Sequence, residues 1–110
     1  MTYLELIEVM RKEDFFEIRN DIANRFEAVV RMDKLKNISS HLNGYFKAPL
    51  KAAGAIVADE AKRLTAPYGG IQDNQTLYYQ NDGASFSLAM IWPWSNGIMA
   101  TVIIVCGVMD

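Results

Sequence analysis

The side chains able to do chemistry in this 110-residue chain are few and stand apart. His41 is the single histidine, with no cysteine or carboxylate at ligand spacing from it. A zinc site takes three or four protein ligands, so His41 reads as a surface or capping residue. Cys106 is the one cysteine and sits in the apolar run VIIVCGV, a setting that raises a thiol pKa and leaves it inert. Asp59 and Glu60 are adjacent on an expected helix, so their side chains diverge by about 100° and cannot share a proton. They read as solvated partners of Arg63 and Lys62, with Asp59 four residues ahead of Arg63. Tyr68-Gly69-Gly70 lacks the lysine and hydroxyl of a phosphate loop and reads as a helix stop. No catalytic, metal or cofactor constellation emerges, and a non-enzymatic protein is expected.

A working surface is better sought among the aromatics Tyr78, Tyr79, Trp92 and Trp94, since Trp and Tyr are enriched where binding energy concentrates. Trp92 belongs to an alternating apolar face and reads as core. Trp94 and Tyr79, nearer strand ends, suit either role. Pro93 between the two tryptophans removes an amide donor, which marks an edge or a bulge.

Charge is distributed unevenly. All 11 Lys and Arg lie between Arg11 and Arg63, and the 27 residues Gly83 to Met109 carry no charge. Nucleic acid demands clustered cations. Here the cations are interspersed with acids, so a nucleic-acid partner is not expected. The uncharged tail must be buried on both faces, covered by another chain, or embedded in lipid. A spanning helix needs about 20 apolar residues, whereas Ile98 to Met109 offers 12, with Asn96, Ser95 and Pro93 behind it. A membrane span is therefore not expected either. The acidic start MTYLELIEVMRKEDFF is unlike a secretory signal, and a single cysteine agrees with a reducing compartment. Together these features point to the cytoplasm.

The length suits one domain, with a helical half (1–66) and a β half (71–110). Thr2 and Glu5 have capping-box spacing, and Leu4, Ile7 and Met10 follow at helical intervals. Asp14 and Glu17 repeat the signal ahead of Phe15, Ile18, Ile22, Phe26 and Val29, which predicts a longer amphipathic helix. Residues 26–32 fit both the helical and the strand period, and we read them as continued helix. Ile38, Leu42 and Phe46 suggest a further turn or two, broken at Asn43-Gly44. Pro49 opens another helix, with Leu50, Ala53, Val57, Ala61 and Leu64 on one face, closed by Pro67 and Gly69-Gly70. Beyond Gly70, Thr76–Gln80, Ser85–Trp94 and Ile98–Val108 read as strands joined at Asn81-Asp82-Gly83 and Ser95-Asn96-Gly97. The expected fold is α+β, N-terminal helices packed on a three-stranded antiparallel sheet. The last strand is apolar on both sides, so Met99, Ile103 and Val105 need cover. That cover is the N-terminal helices, a symmetry mate or another protein.

The stretch APLKAAGAIVADEAKRLTAP, Ala48 to Pro67, together with the strand-rich remainder, resembles the small phage head–tail joining and tail-completion (neck) proteins. Ala61, Leu64 and Pro67 carry the likeness, which spans about residues 45–105. The chain departs from the family after the proline, with Tyr68-Gly69-Gly70 and no basic residue where the family has Thr-Gly and cations. The family's later glycine-bearing acidic phrase and aromatic-proline ending are also absent. The resemblance implies a ring-forming virion component without enzymatic activity, found in a host cytoplasm or a virion.

The leading expectation is a structural or assembly protein acting by self-association, with Tyr78, Tyr79, Trp92, Trp94, Met99, Ile103 and Val105 at the interface and no cofactor. A small inhibitor that docks its sheet edge or aromatic patch on another protein is the alternative. The third class is a small-ligand binder with a Trp/Tyr-lined pocket between helix and sheet.

Overall fold

In the computed structural model, which describes residues 1–109, Thr2 opens the first helix as its spacing from Glu5 predicts. The Glu5 amide donates to the Thr2 hydroxyl and the Thr2 amide to the Glu5 carboxylate, each at 3.1 Å. Helix α1 (Tyr3–Arg11) then buries Leu6, Ile7 and Met10.

The stripe after Asp14 is not a helix. Glu17–Ile22 forms strand β1 and Arg25–Arg31 strand β2, an antiparallel hairpin. Phe26, Ala28 and Val30 enter the core beneath α1, whereas Val29 lies on the opposite side of the sheet. Pairing along the whole of β2, from Arg25 opposite Val105 to Arg31 opposite Met99, outweighs the local helical period.

Helix α2 (Leu35–Phe46) runs unbroken through Asn43-Gly44 and turns Ile38, Leu42 and Phe46 inward. The helix expected from Pro49 shrinks to α3 (Asp59–Thr65). Two features prevent the longer helix. Lys51 is drawn into a bridge with Leu77, and Gly54 adopts φ 86°, which no right-handed helix accommodates. The expected pairing of Asp59 with Arg63 is not formed among the described residues.

The C-terminal meander is present as β3 (Thr76–Asn81), β4 (Ser85–Pro93) and β5 (Met99–Val108). The sheet nevertheless has five strands rather than three, in the order β1-β2-β5-β4-β3. The region read as a helical half thus contributes two strands. Docked on β5, they make the uncharged strand the centre of the sheet, while β1 and β3 are the edges. Its dryness follows from this position. One face packs under α1 and α2, with Val102 and Ile104 fully buried. The far face is roofed over β3–β5 by the segment around α3, which covers Leu77, Leu88, Met90, Ile103 and Val105. The chain supplies both covers itself. No helix among the described residues is long and apolar enough to cross a membrane.

Both edges are guarded. A register shift between Ile18 and Asn20 leaves Arg19 as an extra residue in β1, and bulges and charges discourage strand addition. The start of β3 is occupied by Lys51, which donates to and accepts from Leu77.

The β3–β4 turn depends on Asp82, whose carboxylate accepts from the Ser85 amide at 2.8 Å and the Ala84 amide at 2.9 Å. These bonds, Ser85 first, hold its pKa below the ordinary carboxylate value. A folded-state pKa depressed in this way contributes stability above the unfolded pKa, and that contribution is lost as pH falls through the folded pKa. The melting-temperature gap between wild type and Asp82→Ala is therefore largest at neutral pH and closes below about pH 4. Parallel thermal scans across pH check this.

Candidate contact surface and clefts

The residues expected to form one interface are distributed over both faces of the sheet. Tyr78 lies in the helix-side core, its hydroxyl donating to Asn43 Oδ1 at 2.9 Å. Ile103 and Val105 are 1% and 2% exposed beneath the chain's own far-face layer. Their cover is internal, so they are not open to a partner. Trp92 packs in that same layer. A Cβ built on Gly69 would stand 2.8 Å from the Trp92 ring, so only glycine lets the loop after α3 close on the indole. Gly69 also has φ 107°, a second reason for the residue type. The buried Trp92 Nε1 has no partner among the described residues. Tyr79 stacks on Phe86 with centroids 6.3 Å apart.

Trp94 and Met99, both half-buried, lie outside that layer. Over β1 and β2 the sheet is open. Trp94 folds back so that its Nε1 donates to Thr101 Oγ1 at 2.9 Å. The Arg19 guanidinium, supplied by the β1 bulge, lies 5.7 Å from the Trp94 ring centroid, within cation–π range. Val29, paired with Thr101, is fully buried in the open half. Bulky neighbours of this kind explain how a valine on an unroofed face stays dry. Around them the charges alternate. Arg25 pairs with Glu27 at 2.8 Å and Arg19 with Glu17 at 3.0 Å, while Arg31 stands opposite Met99.

His41 and Cys106 each gain a neighbour that the sequence did not show, Glu13 and Tyr3 respectively. His41 Nε2 meets Glu13 at 2.7 Å and ties α2 to the segment after α1. Burial pushes the Cys106 thiol up and the Tyr3 phenol well above its ordinary value. Raised in this way, both groups favour their protonated forms. They border a cleft of about 650 Å³ on the helix face, together with Asn24, Tyr45 and Ser87. Tyr45 and Ser87 hydrogen-bond each other there at 2.8 Å. That cleft presents neutral polar groups and no charge to select a ligand. A second cleft of about 360 Å³ opens on the far face between α3 and the ends of β3–β5, lined by Arg63, Pro67, Tyr68, Tyr79, Phe86 and Met109. Among the described residues no group of three or more His, Cys, Asp or Glu could hold a metal.

Sequence reasoning did not find Arg19, Thr101, Lys51 or the Phe86–Gly107 pair. Gly107 did carry a signal, because a glycine inside an apolar strand marks close approach of another group. Lys51, set between Leu50 and a run of alanines, also pointed to a buried stem. Comparison with protein-family models, with curated proteins and with solved structures finds no match to this chain.

Proposed function

We propose that this protein acts without catalysis, by contact between protein chains, with a second copy of itself as the partner and the open half of the far face as the surface. The observation that carries this reading is the exposed Arg19 set over the half-buried Trp94, which Thr101 holds from below, beside the half-buried Met99. Trp and Arg are the residue types in which interface energy concentrates. The flanking pairs Arg25–Glu27 and Arg19–Glu17 can exchange partners across a two-fold axis, because alternating signs are self-complementary in an isologous contact. The guarded edges of β1 and β3 favour this face over strand addition. The resemblance of Ala48–Pro67 to phage neck proteins points to assembly as well, though a ring requires a heterologous contact rather than an isologous one.

Light scattering across the micromolar range tests the proposal. Dimers or larger closed species are expected, and Trp94→Ala weakens association by about thirtyfold, the effect of losing a central anchor of about 2 kcal/mol. A strict monomer overturns the proposal. So does an oligomer whose dissociation constant ignores both Trp94→Ala and Arg19→Glu.

A further inference from the structure

The far-face cleft has a construction that the contact reading does not use. Its floor is an aromatic group: Tyr79 stacks on Phe86, and Tyr68 lies 6.5 Å from Phe86. Phe86 stands opposite Gly107 in the sheet. A Cβ at Gly107 would lie 2.7 Å from the Phe86 ring, so the absent side chain is what lets the ring lie down and leaves the space above it. Tyr79 is fixed in turn by Asn81, whose Nδ2 donates to its hydroxyl at 3.3 Å. The rim is Arg63, exposed in the last turn of α3. Among the described residues it makes neither an ion pair nor a side-chain hydrogen bond, while Arg11, Arg19, Arg25 and Arg31 are each paired with a carboxylate. A volume of about 360 Å³ lies at the lower end of the range for small-molecule sites, which combine apolar walls with a few polar groups that orient the ligand.

We infer that this cleft binds a small amphiphilic carboxylate, its apolar body on Tyr68, Tyr79 and Phe86 and its carboxylate on the Arg63 guanidinium. The apolar walls reject a hydrated inorganic anion, which has no surface to lay on them. The lone guanidinium selects an acid over its neutral analogue, since its fork matches a carboxylate with two parallel donors. An aromatic acid and a medium-chain fatty acid share this chemistry.

The test is an NMR titration of the whole protein with 3-phenylpropanoate, with decanoate and with neutral 3-phenylpropanamide. Both acids are expected to shift the resonances of Arg63, Tyr68, Tyr79 and Phe86, with the tighter of the two marking the natural body as aromatic or aliphatic. Arg63→Gln, an exposed substitution that leaves the core untouched, weakens acid binding about tenfold, the loss of one charge-assisted contact. Gly107→Ala lifts Phe86 into the cleft and weakens binding with Arg63 still in place. Equal binding of amide and acid overturns the inference, as does acid affinity unchanged in Arg63→Gln. Shifts at Tyr3, Asn24, Tyr45, Ser87 or Cys106 without any at Arg63, Tyr68 and Tyr79 do the same, since Phe86 borders both clefts, as do no shifts at millimolar acid. The titration reads the cleft whether the protein is monomeric or associated, so its result is independent of the contact proposal.

Discussion

Replacing Lys51 by methionine lowers the melting temperature by roughly 10–20 °C, because about 3 kcal/mol is lost in a domain where each kcal/mol is worth several degrees. Lys51 is only 4% exposed. Its Nζ donates to three main-chain carbonyls, those of Asp73 and Gln75 at 2.8 Å and Ala52 at 3.1 Å. Three donors on one ammonium meet three acceptors, so the buried charge is compensated by peptide dipoles instead of a carboxylate. Methionine matches the stem in length and keeps the backbone bridge to Leu77, but it leaves those carbonyls without their donor. The damage extends beyond the site. The staple joins the loop before α3 to the loop before β3, and these two loops anchor the layer that roofs Met90, Ile103 and Val105. Thermal unfolding followed by circular dichroism measures the effect, and dye binding to newly exposed apolar surface accompanies it. A melting temperature within two or three degrees of wild type would mean that water satisfies the carbonyls equally well, and the staple would then have no energetic weight.

The α+β class and the C-terminal meander were legible because their signals are local. Asn81-Asp82-Gly83 and the period-two alternation of Phe86, Leu88 and Met90 act within single strands and their turns. The capping box at Thr2 is likewise a contact over three residues. What could not be read were features set by distant partners. The clearest helical stripe, Leu50 to Leu64, yields only seven helical residues, because Lys51 is claimed by Leu77, Asp73 and Gln75. Those positions lie more than twenty residues on, and no local period reports them. The same holds for the uncharged tail. Its composition correctly demanded cover on two faces, yet the donors of that cover are invisible in the tail itself. Val105 and Ile103 read as interface because the far-face layer comes from residues expected to sit with the other helices. The candidate contact surface was half legible. Trp94 and Met99 were identifiable by type and position, whereas Arg19 reaches the Trp94 ring from a strand that reads as helix.

That misreading supplies a mutational series whose outcome separates the two conformations of residues 15–29. On a helix, Phe15, Ile18, Ile22, Phe26 and Val29 share one buried stripe, and truncating any of them carries a core-sized cost. In the hairpin they separate. Phe26 is fully buried beneath α1 and packs against Phe15 at 5.6 Å, while Ile18 and Ile22 are 47% and 57% exposed. Phe26→Ala is therefore expected to cost about 3–5 kcal/mol, enough to unfold much of the population of a marginal domain. Ile18→Ser and Ile22→Ser stay within about 0.5 kcal/mol of wild type. Denaturant titrations of the three variants give these differences directly. The physical basis is the size of what each residue leaves behind. Removing the Phe26 ring opens a cavity between α1 and the sheet that Leu6 and Met10, both held on the helix, cannot collapse to fill. The two isoleucines, each about half exposed, leave no enclosed cavity behind. Comparable losses at Ile18, Ile22 and Phe26 would restore the single helix and remove the β1 bulge. Without strand β1 Arg19 is not held over Trp94, and the contact surface proposed for the open half of the sheet disappears with it.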